Sequence, residues 1–485
     1  MNAAPMSGRT GMQDLLTRSR ISAPSATGLI VDGAEYTFEQ LATAAEALAE
    51  KLPHRTRVVV VLANNAASVV AAQAVWLAGC SIVAASPMVP EAEVRRRAEV
   101  TAASAYLVPA AGDSLDVEIR STGRQETAPT GEALVMFTSG TTGTPKGASL
   151  TFSALRGSVA GIAAGNGLPD GGRPPAEPAR DPRIVLVPIA HMGGFLGVLT
   201  AWWLGKPALL VEKFTAQRVF DIAQRWRLGV LGLTPAMVWE LAQTEQDGSL
   251  PGVDSVIVGT AAIPEATRLA FEAKYDVPVL RNYGQTEFAG AIAFERPGDV
   301  AAGKRPEGTV GRVAPGVEVV IVDPEGSAVA TGGVGEILAR AASAMTGYLG
   351  DDGRPAGSDE WLHTGDLGRL DDDGFLFVVG RVRDMVVCGG FNVYPAQVET
   401  ALNDLPEVAD SAVAGLPDER LGEVPVAAVV LNKGARADAE SLRQALRSRL
   451  APYELPRRLV FVDAIPRHDT GKVNRDEIAR IVKTP

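Results

Sequence analysis

A chain of 485 residues with 46% hydrophobic and 21% charged side chains has the composition of a globular protein, and its length predicts at least two domains. The net charge of −11 argues against a nucleic-acid-binding surface, although a local site can oppose the global sign and take an anionic substrate. Two cysteines, Cys80 and Cys388, provide no disulfide framework and predict a reducing cytoplasm. Residues 1–20 are polar and contain no apolar signal core.

Helix and strand patterns alternate over residues 28–110. An amphipathic helix is predicted near residues 39–51, a strand over 57–62, a helix over 91–99 and a strand over 105–108. Continuous apolar strands separated by helices indicate a parallel sheet that is covered on both faces. The polar stretch 112–130 is interpreted as a connection.

One uncharged segment, residues 68–86, is long enough to span a bilayer. It is rich in alanine and is interrupted by Gln73, Gly79 and Ser81. We interpret it as a buried helix to about Ala78, a stop at Gly79 and a short strand, so no membrane span is expected.

The stretch with the most distinctive chemistry follows the apolar strand 133–137. Residues 137–147 contain three glycines, four threonines, one serine and one lysine. Glycines let backbone N–H groups approach an anion, hydroxyls donate hydrogen bonds and the lysine adds a positive charge, so this loop is predicted to hold phosphate. It is not the Walker A loop, in which Ser or Thr follows the lysine, and a flexible surface loop is the alternative. The predicted phosphate-binding residues are Thr138, Ser139, Gly140, Thr141, Thr142, Thr144 and Lys146. A helix-compatible segment, residues 149–164, follows.

Two later strand patterns end in small or polar residues. Strand 183–188 is followed by His191, which is either a hydrogen-bonded structural residue or part of a pocket. Strand 255–258 runs into the turn Gly259-Thr260-Ala261, and a simple strand-to-helix turn with Pro264 at the helix start accounts for the same residues.

The segment Asn282-Tyr283-Gly284-Gln285-Thr286-Glu287 follows another short strand. Tyr283 can stack on an adenine ring, Thr286 can donate to a phosphate and Glu287 offers a hard oxygen ligand for Mg²⁺. The alternative is a surface turn with a solvated glutamate.

The last third of the chain changes character. Residues 307–350 have short strand patterns separated by glycine turns, which predict an antiparallel β subdomain. Asp366 on a glycine turn can accept ribose hydroxyls, and Arg381 can reach the same ribose or a phosphate. An α+β region follows, with a helix from Pro395, strands near 410–414 and 424–431, and a helix over 437–450. Near its end, a tight turn would project Lys472.

Five motifs in this order resemble those of the adenylate-forming family, which comprises acyl- and aryl-CoA synthetases, peptide-synthetase adenylation domains and beetle luciferases. They are residues 137–147, Tyr283-Gly284-Gln285-Thr286-Glu287, Trp361-Leu362-His363-Thr364-Gly365-Asp366, Gly380-Arg381-Val382-Arg383-Asp384 and Thr470-Gly471-Lys472. The resemblance implies an α/β fold with a large N-terminal domain of parallel-rich sheets covered by helices, plus a β subdomain, and a small α+β C-terminal domain on a hinge. The family's hinge falls on Arg383, so the expected domains are residues 1–382 and 383–485.

The resemblance also implies a two-step reaction. A substrate carboxylate attacks the α-phosphorus of ATP in the presence of Mg²⁺, pyrophosphate leaves and an acyl-adenylate forms; the thiol of CoA then displaces AMP. The family's catalytic lysine falls on Lys472, where its charge would stabilise the transition state. The other residues expected to act in catalysis are Glu287, Thr286 and His191, and the remaining nucleotide-binding residues are Gly259, Thr260, Ala261, Asn282, Tyr283, Gly284, Asp366 and Arg381.

CoA as the acceptor depends on residues 387–399, which resemble the CoA-ligase form of the motif and place Gly389 and Gly390 in the expected CoA tunnel. The chain ends soon after Lys472 without a carrier-protein serine motif. Transfer to a separate carrier protein, an amine or another nucleophile is the first alternative. A non-catalytic acyl- or nucleotide-binding protein is the second, and the luciferase alternative has no residue that indicates an oxygenation step.

The acid itself is less well determined by the sequence. Amino-acid-activating members of the family usually carry an aspartate near the position of His191, and its absence argues against an α-amino acid. Benzoate-like, cinnamate-like and aliphatic acids stay open, as does the choice between monomer and homodimer. The predicted pocket residues are mostly apolar or small, which suits an aryl or medium-length acyl group: His191, Phe195, Thr234, Gly259, Gly284 and Phe288.

Overall fold

The computed structural model describes residues 15–111, 114–124, 126–138, 145–165, 180–246, 248–350, 361–467 and 473–483. The helices in this part of the chain are α1 (Leu15–Ser22), α2 (Phe38–Ala49), α3 (Ala66–Leu77), α4 (Glu91–Val100), α5 (Phe152–Gly165), α6 (Met192–Trp203), α7 (Ala216–Arg225), α8 (Pro235–Gln243), α9 (Glu265–Tyr275), α10 (Pro297–Ala301), α11 (Pro395–Asn403), α12 (Ala439–Leu446) and α13 (Arg475–Lys483).

The strands in the same ranges are β1 (Thr27–Val31), β2 (Ala34–Thr37), β3 (Arg57–Val61), β4 (Ser81–Ala85), β5 (Ala105–Pro109), β6 (Val117–Ser121), β7 (Glu132–Thr138), β8 (Lys146–Thr151), β9 (Arg183–Val185), β10 (Ala208–Leu210), β11 (Gly229–Leu233), β12 (Val253–Val258), β13 (Val279–Gln285), β14 (Gly290–Phe294), β15 (Arg312–Val313), β16 (Val317–Val322), β17 (Gly335–Ala341), β18 (Gly347–Tyr348), β19 (Leu362–Leu370), β20 (Leu376–Arg381), β21 (Val386–Cys388), β22 (Phe391–Val393), β23 (Val408–Asp418), β24 (Gly422–Leu431) and β25 (Arg458–Phe461).

The first large sheet has seven strands in the order β18-β8-β7-β4-β3-β5-β6. Its four central strands are parallel, because consecutive apolar runs such as the valines of β3 are connected by helices that cover the faces. This confirms the parallel sheet predicted for residues 28–110. The outer strands β6, β8 and β18 pair antiparallel with their neighbours.

Two of these outer strands differ from the sequence prediction. Residues 112–130, interpreted as a connection, contain β6, whose alternating Val117 and Ile119 pack against the core. Residues 149–164, interpreted as helix-compatible, begin within β8, and α5 starts only at Phe152. In both cases an edge strand gains its hydrogen bonds from a neighbour rather than from a strong local pattern.

Helix α3 is apolar on every face and lies in the largest buried cluster, with side chains from α2, α5 and α6. Gly79, with a φ of +71°, ends this helical segment and β4 follows. The interpretation of residues 68–86 as a buried helix, a glycine stop and a strand is therefore confirmed. A search of the described helices for a membrane-spanning segment found none of sufficient length and hydrophobicity.

A second sheet, in the order β11-β12-β13-β14-β15, changes direction at β13. Strands β11 to β13 are parallel, whereas β13 and β14 are antiparallel. A further sheet, β2-β1-β10-β9, packs with the first sheet's helices. Strands β16 and β17 of the predicted β region, residues 307–350, form an antiparallel sheet with the later strands β19 and β20, whereas β18 joins the first sheet. The predicted α/β architecture of the large domain is confirmed.

The C-terminal region forms its own sheet, β22-β21-β24-β23, with β25 beside β24 and helices α11 to α13 around it. Helix α11 begins at Pro395 as predicted, whereas α12 is shorter than the predicted 437–450. Two apolar clusters cover the two faces of this sheet, so the predicted small α+β domain has its own core.

A buried ion pair crosses the centre of the seven-stranded sheet. Arg57 on β3 donates to both carboxylate oxygens of Glu132 on β7, at 2.7 and 2.8 Å, and both side chains are almost inaccessible to solvent. The Ser149 hydroxyl donates to the same carboxylate at 2.7 Å, and Thr346 donates to Ser149 at 3.1 Å. The pair therefore connects the central strands to the β8 edge.

Replacing Arg57 with Met should destabilise the large domain by about 3–5 kcal/mol, because it leaves the carboxylate of Glu132 buried without its counter-charge. The measurement is denaturant-induced unfolding followed by circular dichroism. Arg95→Met is the matched control, since Arg95 makes an exposed pair with Glu91 on α4 and its loss should not change the unfolding midpoint measurably. Equal midpoints for the two variants would contradict this prediction.

Candidate active site

The predicted phosphate loop connects two antiparallel strands. Thr138 ends β7 and Lys146 begins β8, and the two residues are paired across the hairpin. Five of the seven predicted phosphate-binding positions, between 139 and 144, lie outside the described residues. The hairpin base therefore presents one hydroxyl and one ammonium group at the same end of the first sheet.

Glu287 lies in a short 3₁₀ helix, Thr286–Phe288, directly after β13. Its Oε1 atom accepts a hydrogen bond of 2.6 Å from the hydroxyl of Tyr348 on β18. The side chain of Thr138 lies near this hydroxyl, and the Lys146 ammonium lies 5.5 Å from the centre of the Tyr348 ring. The predicted metal ligand and the base of the predicted phosphate loop are thus brought together.

Burial of the Tyr348 phenol raises its pKa well above the ordinary range, and the negative charge of Glu287 acts in the same direction. The phenol stays protonated at neutral pH and donates to the carboxylate. The sequence analysis assigned no site role to Tyr348, because it follows Glu287 by 61 residues and sits in a two-residue strand.

Asp366 is the centre of a second group. Its Oδ2 atom accepts from the Tyr283 hydroxyl and from the amide of Gln285, both at 2.8 Å, and the Arg381 guanidinium lies 3.2 Å from Oδ1. Asp366 is buried, and the Thr364 hydroxyl accepts a hydrogen bond from its backbone N–H. The structure therefore places together the three residues predicted to hold adenine and ribose.

Gln285 belongs to this group although the sequence analysis gave it no role. Its amide also donates to the carbonyl of Thr364 at 2.9 Å. Burial raises the pKa of Tyr283 well above its usual value, and the carboxylate of Asp366 adds to this effect, so the phenol remains a donor. The sequence signal that could have indicated a role for Gln285 is its polar side chain between Tyr283 and Glu287 in the same motif.

The predicted nucleotide-binding turn, residues 259–261, follows β12 at the same edge of the second sheet. Thr260 has a φ of +73°, which is strained for a β-branched residue, and its side chain is exposed. Asn282 lies on β13 beside Gly259. Gly284 is crowded, since a Cβ atom there would lie 2.0 Å from the carbonyl oxygen of Gly290, so only glycine fits.

The predicted acyl-pocket residues fall into two groups. His191 is at the N-terminus of α6 and is accessible to solvent, and Thr234 caps α8 by accepting from the N–H of Met237. Phe195 and Phe288 are buried: Phe195 packs edge-on against Trp76 at 5.7 Å, and Phe288 lies in a small cluster next to Tyr283. The two phenylalanines therefore lie in the protein interior, whereas His191 is exposed and Thr234 is half-buried.

The predicted hinge, Arg383, lies in an exposed 3₁₀ turn after β20. Its neighbour Asp384 binds Arg475 on α13 at 3.0 Å, and Arg475 is also paired with Glu399. Gly389 and Gly390, predicted for the CoA tunnel, form the exposed turn between β21 and β22 with φ values of +61° and +86°. The predicted catalytic residue, Lys472, lies outside the described residues.

A two-domain α/β fold with carboxylates, hydroxyls and cations gathered where β13 leaves its parallel sheet defines an adenylate-forming enzyme. Residues 18–349 match the AMP-binding enzyme family, and residues 397–472 match the AMP-binding enzyme C-terminal domain. The chain therefore belongs to the AMP-binding enzyme family, which confirms the predicted enzyme class.

Several known proteins resemble the chain. The indoleacetate–CoA ligase of Aromatoleum aromaticum is 36% identical over 355 residues, which cover 72% of this chain and about two thirds, 67%, of that ligase. The amide bond synthetase McbA of Marinactinospora thermotolerans has a TM-score of 0.82 at 27% identity, over 97% of this chain and 99% of that one. The o-succinylbenzoate CoA synthetase of Bacillus subtilis, in complex with its acyl-adenylate intermediate, has the same fold with a TM-score of 0.82 at 24% identity, over 97% and 98% of the two chains.

The imidazole of His191 should be neutral at pH 7 and should titrate below the ordinary value of about 6.5. Although solvent reaches the ring, surrounding protein atoms desolvate it and thereby lower its pKa, and the positive charge of Arg97 lowers the pKa further. Protonation is then less favourable in the folded state than in the unfolded state, so this histidine reduces stability as the pH falls through 6.5. The measurement is an NMR titration of the ring protons, assigned by their loss in His191→Gln. Arg97→Gln should raise the midpoint, and an unchanged midpoint would refute the electrostatic contribution.

Proposed function

We propose that this protein activates an aryl or medium-chain carboxylic acid with ATP and transfers the acyl group to CoA, releasing AMP and pyrophosphate. The observation that carries this proposal is a pair of side-chain groups that the end of β13 and the 3₁₀ turn after it connect. Asp366 bonds Tyr283 in one group, and Glu287 bonds Tyr348 near Thr138 in the other. The first group suits a ribose, and the second suits a metal ion and phosphates.

The residues present suit a magnesium site. Glu287 offers a partly buried carboxylate whose Oε1 atom is bonded to Tyr348, and among the described residues no side chain donates a hydrogen bond to its second oxygen. Proteins that bind Mg²⁺ with a nucleotide typically supply one or two carboxylates, while the phosphates and water complete the shell. Bound Mg²⁺ would screen the charge of the triphosphate.

The chain's residues then divide the work between two steps. Thr138, Lys146 and the loop between them hold the outer phosphates, while Asp366 and Arg381 hold the ribose. In the first step an oxygen of the substrate carboxylate bonds to the α-phosphorus as the bond to pyrophosphate breaks, and Lys472 stabilises the developing charge. In the second step the CoA sulfur bonds to the acyl carbon, the bond to AMP breaks and the thiol proton is released.

An aromatic acid is the favoured substrate class. His191 lies beside the glycines near the start of α6. Its neutral imidazole offers a polar group to a substrate without adding a positive charge to that of Arg97. The similarity to an indoleacetate–CoA ligase supports a flat ring as occupant. Phe195 and Phe288 are both buried, and we propose that they limit the depth of the acyl pocket.

Transfer to an amine is the second candidate, because an amide bond synthetase shares the fold over nearly the whole chain. Both candidates use the same first step and differ only in the nucleophile. The turn formed by Gly389 and Gly390 carries no side chains, which favours the narrow thiol arm of CoA.

We further propose a hinge at Arg383 between domains 1–382 and 383–485. We also propose a cytoplasmic location, in which Cys80 and Cys388, both buried, remain reduced.

The proposal predicts acid-dependent pyrophosphate release with a panel of arylacetic, benzoic, cinnamic and aliphatic acids. At least one aromatic acid should support release, and adding CoA should yield its thioester. Each acid is assayed with CoA, with a small amine, and with neither acceptor. Amide formation without thioester would favour the second candidate, and ATP binding without pyrophosphate release from any acid would favour a non-catalytic binding protein.

Lys472→Ala should lower acyl-adenylate formation by about 10²-fold or more, because one preorganised charge is lost from the transition state. Thioester formation from supplied acyl-adenylate should be largely retained, since that step releases AMP without attack at phosphorus. The two half-reactions are measured separately, with Lys483→Ala on α13 as the control. Equal losses in both half-reactions would contradict the assignment of Lys472 to the first step.

A further inference from the structure

Tyr348 is a junction between the two halves of the phosphate site. Its hydroxyl donates to Oε1 of Glu287 at 2.6 Å, and the side chain of Thr138 lies nearby. Its ring lies 5.5 Å from the ammonium of Lys146. The three neighbours are the residues to which the proposed function assigns metal and phosphate, and the hydroxyl proton of Tyr348 is already donated to Glu287.

The backbone holds Tyr348 in place from both sides. Strand β18 pairs with β8, and the N–H of Leu349 donates to the carbonyl of Gly147 at 2.8 Å. Three residues before Tyr348, the N–H of Met345 donates to the backbone carbonyl of Glu287 at 2.7 Å. One short segment therefore contacts both the phosphate hairpin and the 3₁₀ helix that carries the carboxylate.

Such a contact has a clear consequence for a flexible carboxylate. A glutamate side chain loses considerable rotamer freedom when it is held in one position. If this entropy is lost when the metal binds, the loss weakens metal binding. A charge-assisted hydrogen bond from a rigid phenol restricts the side chain in advance. Because Tyr348 occupies Oε1, the second oxygen is the one available to a cation.

We propose that Tyr348 is a positioning residue that orients the carboxylate of Glu287 toward Mg²⁺–ATP and connects it to the base of the phosphate hairpin. This inference rests on the proposed function, in which Glu287 is the metal ligand. It goes further by assigning the orientation of that ligand to a residue 61 positions away.

The test is Tyr348→Phe, which removes only the hydroxyl and keeps the packing of the ring. ATP binding is measured by calorimetry without acid, once in MgCl₂ and once in EDTA, and the Mg²⁺ dependence of pyrophosphate release is measured separately. For half-maximal pyrophosphate release, the variant should require a Mg²⁺ concentration at least about 10-fold higher, which is the usual effect of losing a group that orients a metal ligand. ATP binding in EDTA should be unchanged.

Two comparisons make the result specific. Tyr275→Phe is the matched control, because the Tyr275 hydroxyl donates to the carbonyl of Leu241 in the second sheet's helices and should not affect Mg²⁺. Glu287→Gln should raise the Mg²⁺ requirement by itself. The double variant Tyr348→Phe/Glu287→Gln should be no worse than Glu287→Gln alone, since Tyr348 acts through the carboxylate.

The possible failures can be told apart. An unchanged Mg²⁺ requirement in Glu287→Gln would overturn the metal assignment in the proposed function. A shift in Glu287→Gln with normal behaviour of Tyr348→Phe would overturn this inference alone. Additive losses in the double variant, or an equal loss of ATP binding in EDTA, would mean that Tyr348 only supports the hairpin, which also overturns the inference.

Discussion

The hydrogen bonds accepted by Asp366 join segments that are far apart along the chain, and the arrangement of the site depends on them. Tyr283 and Gln285 reach this carboxylate from the end of β13, while Arg381 reaches it from β20. A buried carboxylate without partners costs several kcal/mol, so the second sheet and the β subdomain stay together while these bonds exist. The position of Tyr283 and of the loop that follows it is set by the same bonds.

That loop extends from Asp366 to the first sheet. Two residues after Gln285, Glu287 accepts a hydrogen bond from Tyr348, and Tyr348 contacts the base of the β7–β8 hairpin. The site lies where β13 passes from parallel to antiparallel pairing. Ligands in α/β proteins commonly bind outside the carboxyl ends of parallel strands, and Tyr283, Gln285 and Glu287 lie at that end of β13. Three sheets therefore contribute side chains to these contacts.

The proposed function divides the residues by task. It assigns the groups around Asp366 and Glu287 to the nucleotide, whose chemistry is the same before transfer to a thiol or to an amine. It assigns the choice of acid and acceptor to residues around the N-terminus of α6 and in the β21–β22 turn. In this proposal an aromatic acid and CoA are the favoured combination, and the hydroxyl of Tyr348 acts on the step before that choice.

The sequence by itself determined the family, the parallel sheet of residues 28–110, the buried helix α3 and the chemical types in the site, because these depend on local periodicity and on short motifs. Only the tertiary structure decided the edge strands β6, β8 and β18, the partners of Gln285 and the position of Tyr348. It also placed the rings of Phe195 and Phe288 in two buried apolar clusters. The reason is physical. An edge strand depends on a neighbouring strand, and the side-chain hydrogen bonds of this site join residues that are 61 or 83 positions apart. Only the fold brings such partners together, and local sequence patterns do not encode that proximity.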